Sequence, residues 1–158
     1  MRTLLALAVS ATLALAGLSA AAQSAETPSA LERWQADPTT VFKGAEISLA
    51  DFQWIARPVV VFANTEADPS FQDQIRLFAA RPGALAERDV VLITDTDPAG
   101  RSEIRLKLRP RGFMLALLGK DGQVKLRKPL PWDVRELTRV IDKMPMRQRE
   151  MNESALGN

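Results

Sequence analysis

The chain has 158 residues, with 21 Lys and Arg against 19 Asp and Glu, a formal net charge of +2, and neither cysteine, histidine nor tyrosine. This near balance argues against a general polyanion binder. The missing thiol and imidazole exclude thiol–disulfide exchange, sulfenic acid formation and the commonest zinc ligands, so any catalysis would rest on carboxylates, Ser, Thr, Lys or Arg.

Residues 1–22 read as an export signal. Arg2 is a positive start, Leu4–Leu18 is a 15-residue apolar stretch, and Ala20-Ala21-Ala22 offers the small residues that signal peptidase needs. The stretch falls short of the ~20 apolar residues of a membrane span. The expectation is therefore a periplasmic or secreted protein with no span after cleavage, a retained anchor being the alternative. The mature chain of about 136 residues suits one domain with one core.

Residues 23–47, with Pro28 and Pro38, read as a partly flexible leader in which Ala30–Gln35 forms a short helical turn. The domain proper is expected over 48–151, with 152–158 as a frayed tail. Ser48–Trp54 reads as a capped turn, with Leu49, Phe52 and Ile55 on one face. Val59–Ala63 is a short continuous apolar run, the pattern of a strand covered on both faces. Asp68 and Pro69 then open a helix whose Phe71, Ile75 and Phe78 share a face, and Arg81-Pro82-Gly83 stops it. Asp89–Thr94 is a second buried strand, parallel to the first because a helix joins them.

Ala99–Leu108 reads as a second helix, broken by Pro110 and Gly112, and Phe113–Leu118 as a third strand. Lys120-Asp121-Gly122 signals a tight turn with Gln123–Arg127 returning antiparallel. Leu130, Val134, Leu137, Ile141 and Met144 form the apolar stripe of a last helix, which Pro145 ends or kinks. The three tryptophans, Trp34, Trp54 and Trp132, lie outside the strands and are expected to fasten the leader and last helix to the sheet. The fold class is α/β, thioredoxin-like, in the order β-α-β-α-β-β-α with a central mixed sheet.

The stretch "FANTEADPSFQDQIRLF" stands where thioredoxins place their Cys-x-x-Cys helix start, and "RGFMLALLGKDGQVKLR" resembles their hairpin. "LLGKDGQVKLR" together with "IDKMPMRQREM" resembles the signature of the P-DUDES family, a thioredoxin-like group of unknown function. That family occurs as small exported bacterial proteins and as repeated domains in animal extracellular proteins. The resemblance spans Leu49 to Met151. The family has been likened to peroxiredoxins, which implies redox chemistry. This chain departs from that implication, because the corner offers Thr65, Glu66, Ala67 and Asp68 in place of a thiol. The fold and the exported habit carry over; the activity does not.

Three features are candidates for function, each with a structural alternative. Asn64 and Thr65 sit at the carboxyl end of a parallel strand, an edge that ligands of such sheets favour, although Asp68 as cap and Asn64 as turn former explain the corner equally. Asp95-Thr96-Asp97 follows the second strand as an Asp-x-Asp pair, open to phosphoryl or Mg²⁺/Ca²⁺ chemistry. Pro98 and Ala99 do not continue the phosphatase pattern, and a turn is the ordinary explanation. Charge is uneven: Ala63–Asp97 holds seven acids and three bases, Arg101–Lys128 nine bases and two acids. Arg109 and Arg111, before the hairpin, are the expected anion holders, a solvated helix and hairpin face being the structural alternative.

The expected role is a non-catalytic binding or scaffolding module without cofactor or metal. Its face would be Asn64, Thr65, Asp95, Asp97, Arg109 and Arg111, and its partner an unidentified protein or anionic ligand outside the cytoplasm. Nucleic acid is not expected, since the basic stretch lacks interleaved aromatics. A peroxiredoxin-like oxidoreductase relative and a module for anionic surfaces are the alternatives.

Overall fold

The computed structural model describes residues 27–157, so the export-signal reading of 1–22 lies outside the described residues. A five-stranded mixed sheet in the order β1-β3-β2-β4-β5 is flanked by six helices among the described residues. The strands are β1 (Val41–Lys43), β2 (Arg57–Phe62), β3 (Val90–Asp95), β4 (Met114–Leu118) and β5 (Val124–Lys128). The helices are α1 (Ala30–Ala36), α2 (Pro69–Ala79), α3 (Pro82–Ala86), α4 (Glu103–Leu108), α5 (Val134–Asp142) and α6 (Pro145–Leu156). Strands β1, β3 and β2 run parallel, and β4 and β5 add antiparallel beyond β2. This arrangement is compatible with a thioredoxin-like α/β fold and contains the expected β-α-β-α-β-β-α order as β2-α2-β3-α4-β4-β5-α5. No described helix is long and apolar enough to cross a membrane.

Strand β2 is buried along its whole length because helices cover both faces of the sheet. Val60, Phe62, Ile93 and Ala116 face one layer with Trp34, Phe52 and Ile104, whereas Val59, Val61, Leu115 and Leu117 face the other with Phe78, Leu137 and Ile141. The single-residue alternation along each strand sorts the two sets. The hairpin turn follows from Gly122 at φ +75°, where an L side chain is strained, and from Asp121, whose carboxylate accepts from the Gln123 N–H at 3.1 Å.

Several elements depart from the sequence reading. The segment before Ser48 holds the expected short helix as α1, fastened by buried Trp34, whose indole N–H donates to the Val90 carbonyl at 3.1 Å, but it also supplies the unexpected edge strand β1. Pro82 does not merely stop α2: it occupies the first turn of α3, where its missing N–H costs nothing. Leu130 lies outside α5 and is 67% exposed. Trp54 fastens nothing with its ring, which is 63% exposed; its backbone N–H instead donates to the Lys120 carbonyl at 2.7 Å. The chain remains helical through α6 to Leu156, beyond the point where fraying was expected.

Helix α6 buries no residue fully. Charge holds it. Arg57, 1% exposed at the start of β2, donates to the Arg88 carbonyl at 2.9 Å and to Glu150 of α6 at 2.8 Å. Lys120 bridges Glu150 at 2.9 Å and Asp89 at 2.8 Å. Arg88 grips Asp142 with two bonds of 2.9 and 2.8 Å, and Arg147 pairs with Asp142 and Glu150. Burial pushes the Glu150 carboxyl up, but the hydrogen bonds and charges of Arg57 and Lys120 outweigh it and hold the group below 4.5. Hydrogen bonds from Arg88 likewise depress Asp142 from 3.8, against a smaller opposing effect of burial. A carboxyl lowered on folding stabilises above its unfolded pKa, and that contribution is lost as pH falls through the folded value. Acidification from pH 6 to below about 4.5 is therefore expected to loosen α6 before the sheet, read as selective gain of amide hydrogen exchange in 145–156 after correction for intrinsic rates. Glu150→Gln should show the same loosening at neutral pH, at a cost of about 2 kcal/mol. Equal protection of α6 at both pH values would contradict this.

Candidate functional site

The carboxyl ends of β1, β3 and β2 meet the start of β4 and the end of β5 along one edge of the sheet. At its centre sits a buried ion pair that the sequence pattern did not signal. Asp95 closes β3 and is 6% exposed; Arg105, in α4, is 9% exposed. The guanidinium donates to Asp95 Oδ1 through Nε at 2.9 Å and through Nη2 at 2.7 Å. Nη2 also reaches the carbonyls of Asp95 at 2.8 Å and Ala63 at 2.9 Å, and the group lies 5.4 Å from the centre of the Phe62 ring. Ser102 Oγ donates to Asp95 Oδ2, and the same hydroxyl accepts from the Arg105 N–H at 3.1 Å, capping α4. Gly44 makes room for this arrangement, since a Cβ there would lie 3.1 Å from Asp95 Oδ2. The pair ties β2, β3 and α4 together.

The Asp-x-Asp pair therefore divides its labour. Asp95 is occupied by Arg105 and Ser102, while Asp97 is exposed and accepts from the Ala99 N–H at 3.0 Å. Among the described residues no three His, Cys, Asp or Glu side chains gather as a metal cage. At the strand-to-helix corner, Asp68 accepts from the N–H groups of Ser70 at 2.8 Å and Phe71 at 3.1 Å, which fixes the start of α2. Thr65 Oγ1 accepts from the Ala67 N–H at 3.3 Å, and both Asn64 and Thr65 are exposed.

The six residues singled out from sequence share the edge but not one cleft. Asp95 and Asp97, with Lys43, Glu66 and Ser102, line a cleft of about 270 Å³ over β1 and β3. Arg109 and Arg111 line a second cleft, of about 260 Å³, together with Phe113, Met114, Arg127, Lys128 and Pro129. Asn64 and Thr65 line neither.

The second cleft is basic and contains no acid. Among the described residues neither Arg109 nor Arg111 makes an ion pair or a side-chain hydrogen bond, and both are exposed. Arg127 donates to the Leu108 carbonyl at 2.7 Å, filling an orphan acceptor at the end of α4. The Lys128 ammonium lies 4.5 Å over the Trp132 ring. Arg127 and Lys128 were not singled out beforehand; their place at the end of the hairpin, facing the Arg109–Arg111 loop across it, was the available signal. Arg109 is held at φ +51° at the C-terminal cap of α4, a conformation that favours glycine. A long cation thus occupies a position where backbone preference alone would select another residue.

A family described as a domain of unknown function, DUF4174, matches residues 48–150. The chain belongs to this family. No curated protein matches it. The matched region begins at Ser48, which caps the turn leading into β2, and ends at Glu150, the partner of buried Arg57. It therefore contains both ion-pair systems and the whole basic cleft, and leaves out α1 and β1.

Two stability experiments follow. Arg105→Met strands Asp95 as a buried carboxylate and should cost ~3–5 kcal/mol in urea unfolding; a loss below about 1 kcal/mol would remove the pair from its structural role. Arg109→Gly relieves the left-handed backbone and should hold or raise stability by up to about 1 kcal/mol, a clear loss being the contrary result.

Proposed function

We propose that this protein is an exported, thioredoxin-like binding module that works by contact rather than by reaction, holding an anionic group of its partner in the basic cleft. One observation carries the reading: Arg109, Arg111, Arg127 and Lys128 converge on a single cleft with no acidic residue among its lining. Guanidinium groups suit carboxylate and phosphate oxygens because their planar fork donates two parallel bonds. The corner where a thiol enzyme of this type would keep its nucleophile is filled by Asp68 as cap, and the whole chain lacks cysteine. Export is supported by the sequence alone, through Arg2, the apolar stretch 4–18 and the small residues at 20–22. The P-DUDES resemblance supports the extracellular setting. Its two motifs fall on the β4–β5 hairpin and on α5–α6, the hairpin carrying half of the cleft's cations.

Titration with inorganic phosphate at low ionic strength tests the anion site. Binding is expected in the millimolar range and should weaken at least tenfold in Arg109→Gly/Arg111→Ala, because each lost charge-assisted bond is worth about 1.5–3 kcal/mol. Rising salt should weaken it further. An affinity unchanged by the double substitution would discard the cleft as the site.

A further inference from the structure

We infer that the ligand of the basic cleft is an amphipathic anion: a phosphate or carboxylate joined directly to a compact apolar or aromatic body. The inference rests on the anion-binding reading above and adds to it the other half of the ligand. The cleft has two kinds of wall. Arg109 and Arg111 stand on the loop before β4, and Arg127 and Lys128 at the end of β5, while Phe113, Met114 and Pro129 supply an apolar floor between them. Phe113 and Met114 are half-buried and anchored in opposite core layers, Phe113 with the α5 side and Met114 with the α1 side. The floor is thus part of the folded core reaching the surface, and it does not need a ligand to form. A hydrated inorganic anion would satisfy the cations and leave this floor wet. A ligand with an apolar body covers it as well.

Two of the four cations, Arg127 and Lys128, are also positioned before binding. Arg127 is tethered to the Leu108 carbonyl at 2.7 Å and passes 3.9 Å from Met114 Sδ. Lys128 rests over Trp132. The backbone N–H of Arg109 donates to the Arg105 carbonyl at 2.8 Å, and Arg105 is itself held by Asp95. Arg127 and Lys128 therefore lose little further freedom on binding, and the Arg109 and Arg111 side chains remain to close on the anion, which favours a small ligand that makes few contacts. The cleft volume of about 260 Å³ lies just below the ~300–1,000 Å³ of ordinary small-ligand pockets, which suits a small ligand. An oxyanion with one small ring is a ligand of that class.

Phenyl phosphate and inorganic phosphate, titrated calorimetrically against the same full-length mature protein, separate this inference from the reading beneath it. Phenyl phosphate should bind at least tenfold more tightly than inorganic phosphate, and both should be lost together in Arg109→Gly/Arg111→Ala. It should also change the Trp132 fluorescence through Lys128, a signal absent in Trp132→Phe. Equal affinity for the two phosphates would overturn the apolar half while leaving the anion site standing. Absence of binding by either, or binding that survives the double substitution, would overturn both. Sedimentation with vesicles containing phosphatidic acid then identifies the source of this chemistry: co-sedimentation that phenyl phosphate competes away assigns it to a lipid surface, and its absence assigns it to a free molecule.

Discussion

The contact between Arg105 and Asp95 organises the working edge of this protein. Four hydrogen bonds from one guanidinium, two to the carboxylate and two to the carbonyls of Asp95 and Ala63, join the ends of the two central parallel strands to α4. A buried pair of this kind contributes less net stability than its geometry suggests, because both ions are stripped of water. Its larger effect is on position. It consumes the one buried carboxylate at the edge among the described residues and orients α4. It thereby places the left-handed residue Arg109 and the loop to Arg111 opposite the end of the hairpin. The surface proposed for a partner is the basic cleft beside the pair rather than the strand-to-helix corner.

The other end of the sheet shows the same device used for attachment. Arg57 is almost wholly buried, yet it faces Glu150 of a helix with no fully buried residue. Without cysteine the chain has no disulfide with which to staple such a terminal element. A network of Arg57, Lys120, Arg88 and Arg147 with Glu150, Asp89 and Asp142 performs that task, at the expense of acid sensitivity. The family match ending at Glu150 fits this arrangement. The motif "IDKMPMRQREM" carries three of these charged partners: Asp142, Arg147 and Glu150.

What the sequence disclosed was whatever depends on local pattern. The β2 and β3 runs, the Asp68-Pro69 helix start, the Lys120–Gly122 turn and the α5 stripe each rest on a period or a cap that a few neighbouring residues define. Strand β1 was hidden because three residues flanked by a proline-containing segment carry no period, and only its pairing with β3 makes it a strand. Helix α3 was hidden because Pro82 and Gly83 are breakers by composition, although proline is at home in a first turn. Arg57, Arg105 and Gln74 were missed for a shared reason: pattern reasoning assigns polar side chains to the surface, and their burial depends on partners far along the chain. Gln74 illustrates it, exchanging hydrogen bonds of 3.0 and 2.7 Å with the backbone of Trp132, 58 positions away. Of the candidate face, Arg109 and Arg111 were legible from charge and position. The split into two clefts was not, because it depends on how α4 is anchored.

The account stands on the claim that the partner-facing surface is the Arg109–Lys128 cleft and not the strand-to-helix corner. Backbone amide chemical shifts, followed by NMR during titration of the protein with an organic phosphate, test this most directly. Shifts concentrated in 109–114 and 126–132, with 64–68 and 95–100 nearly still, are the predicted result. Shifts centred on Thr65, Asp95 and Asp97, or no shifts at saturating ligand, would contradict it.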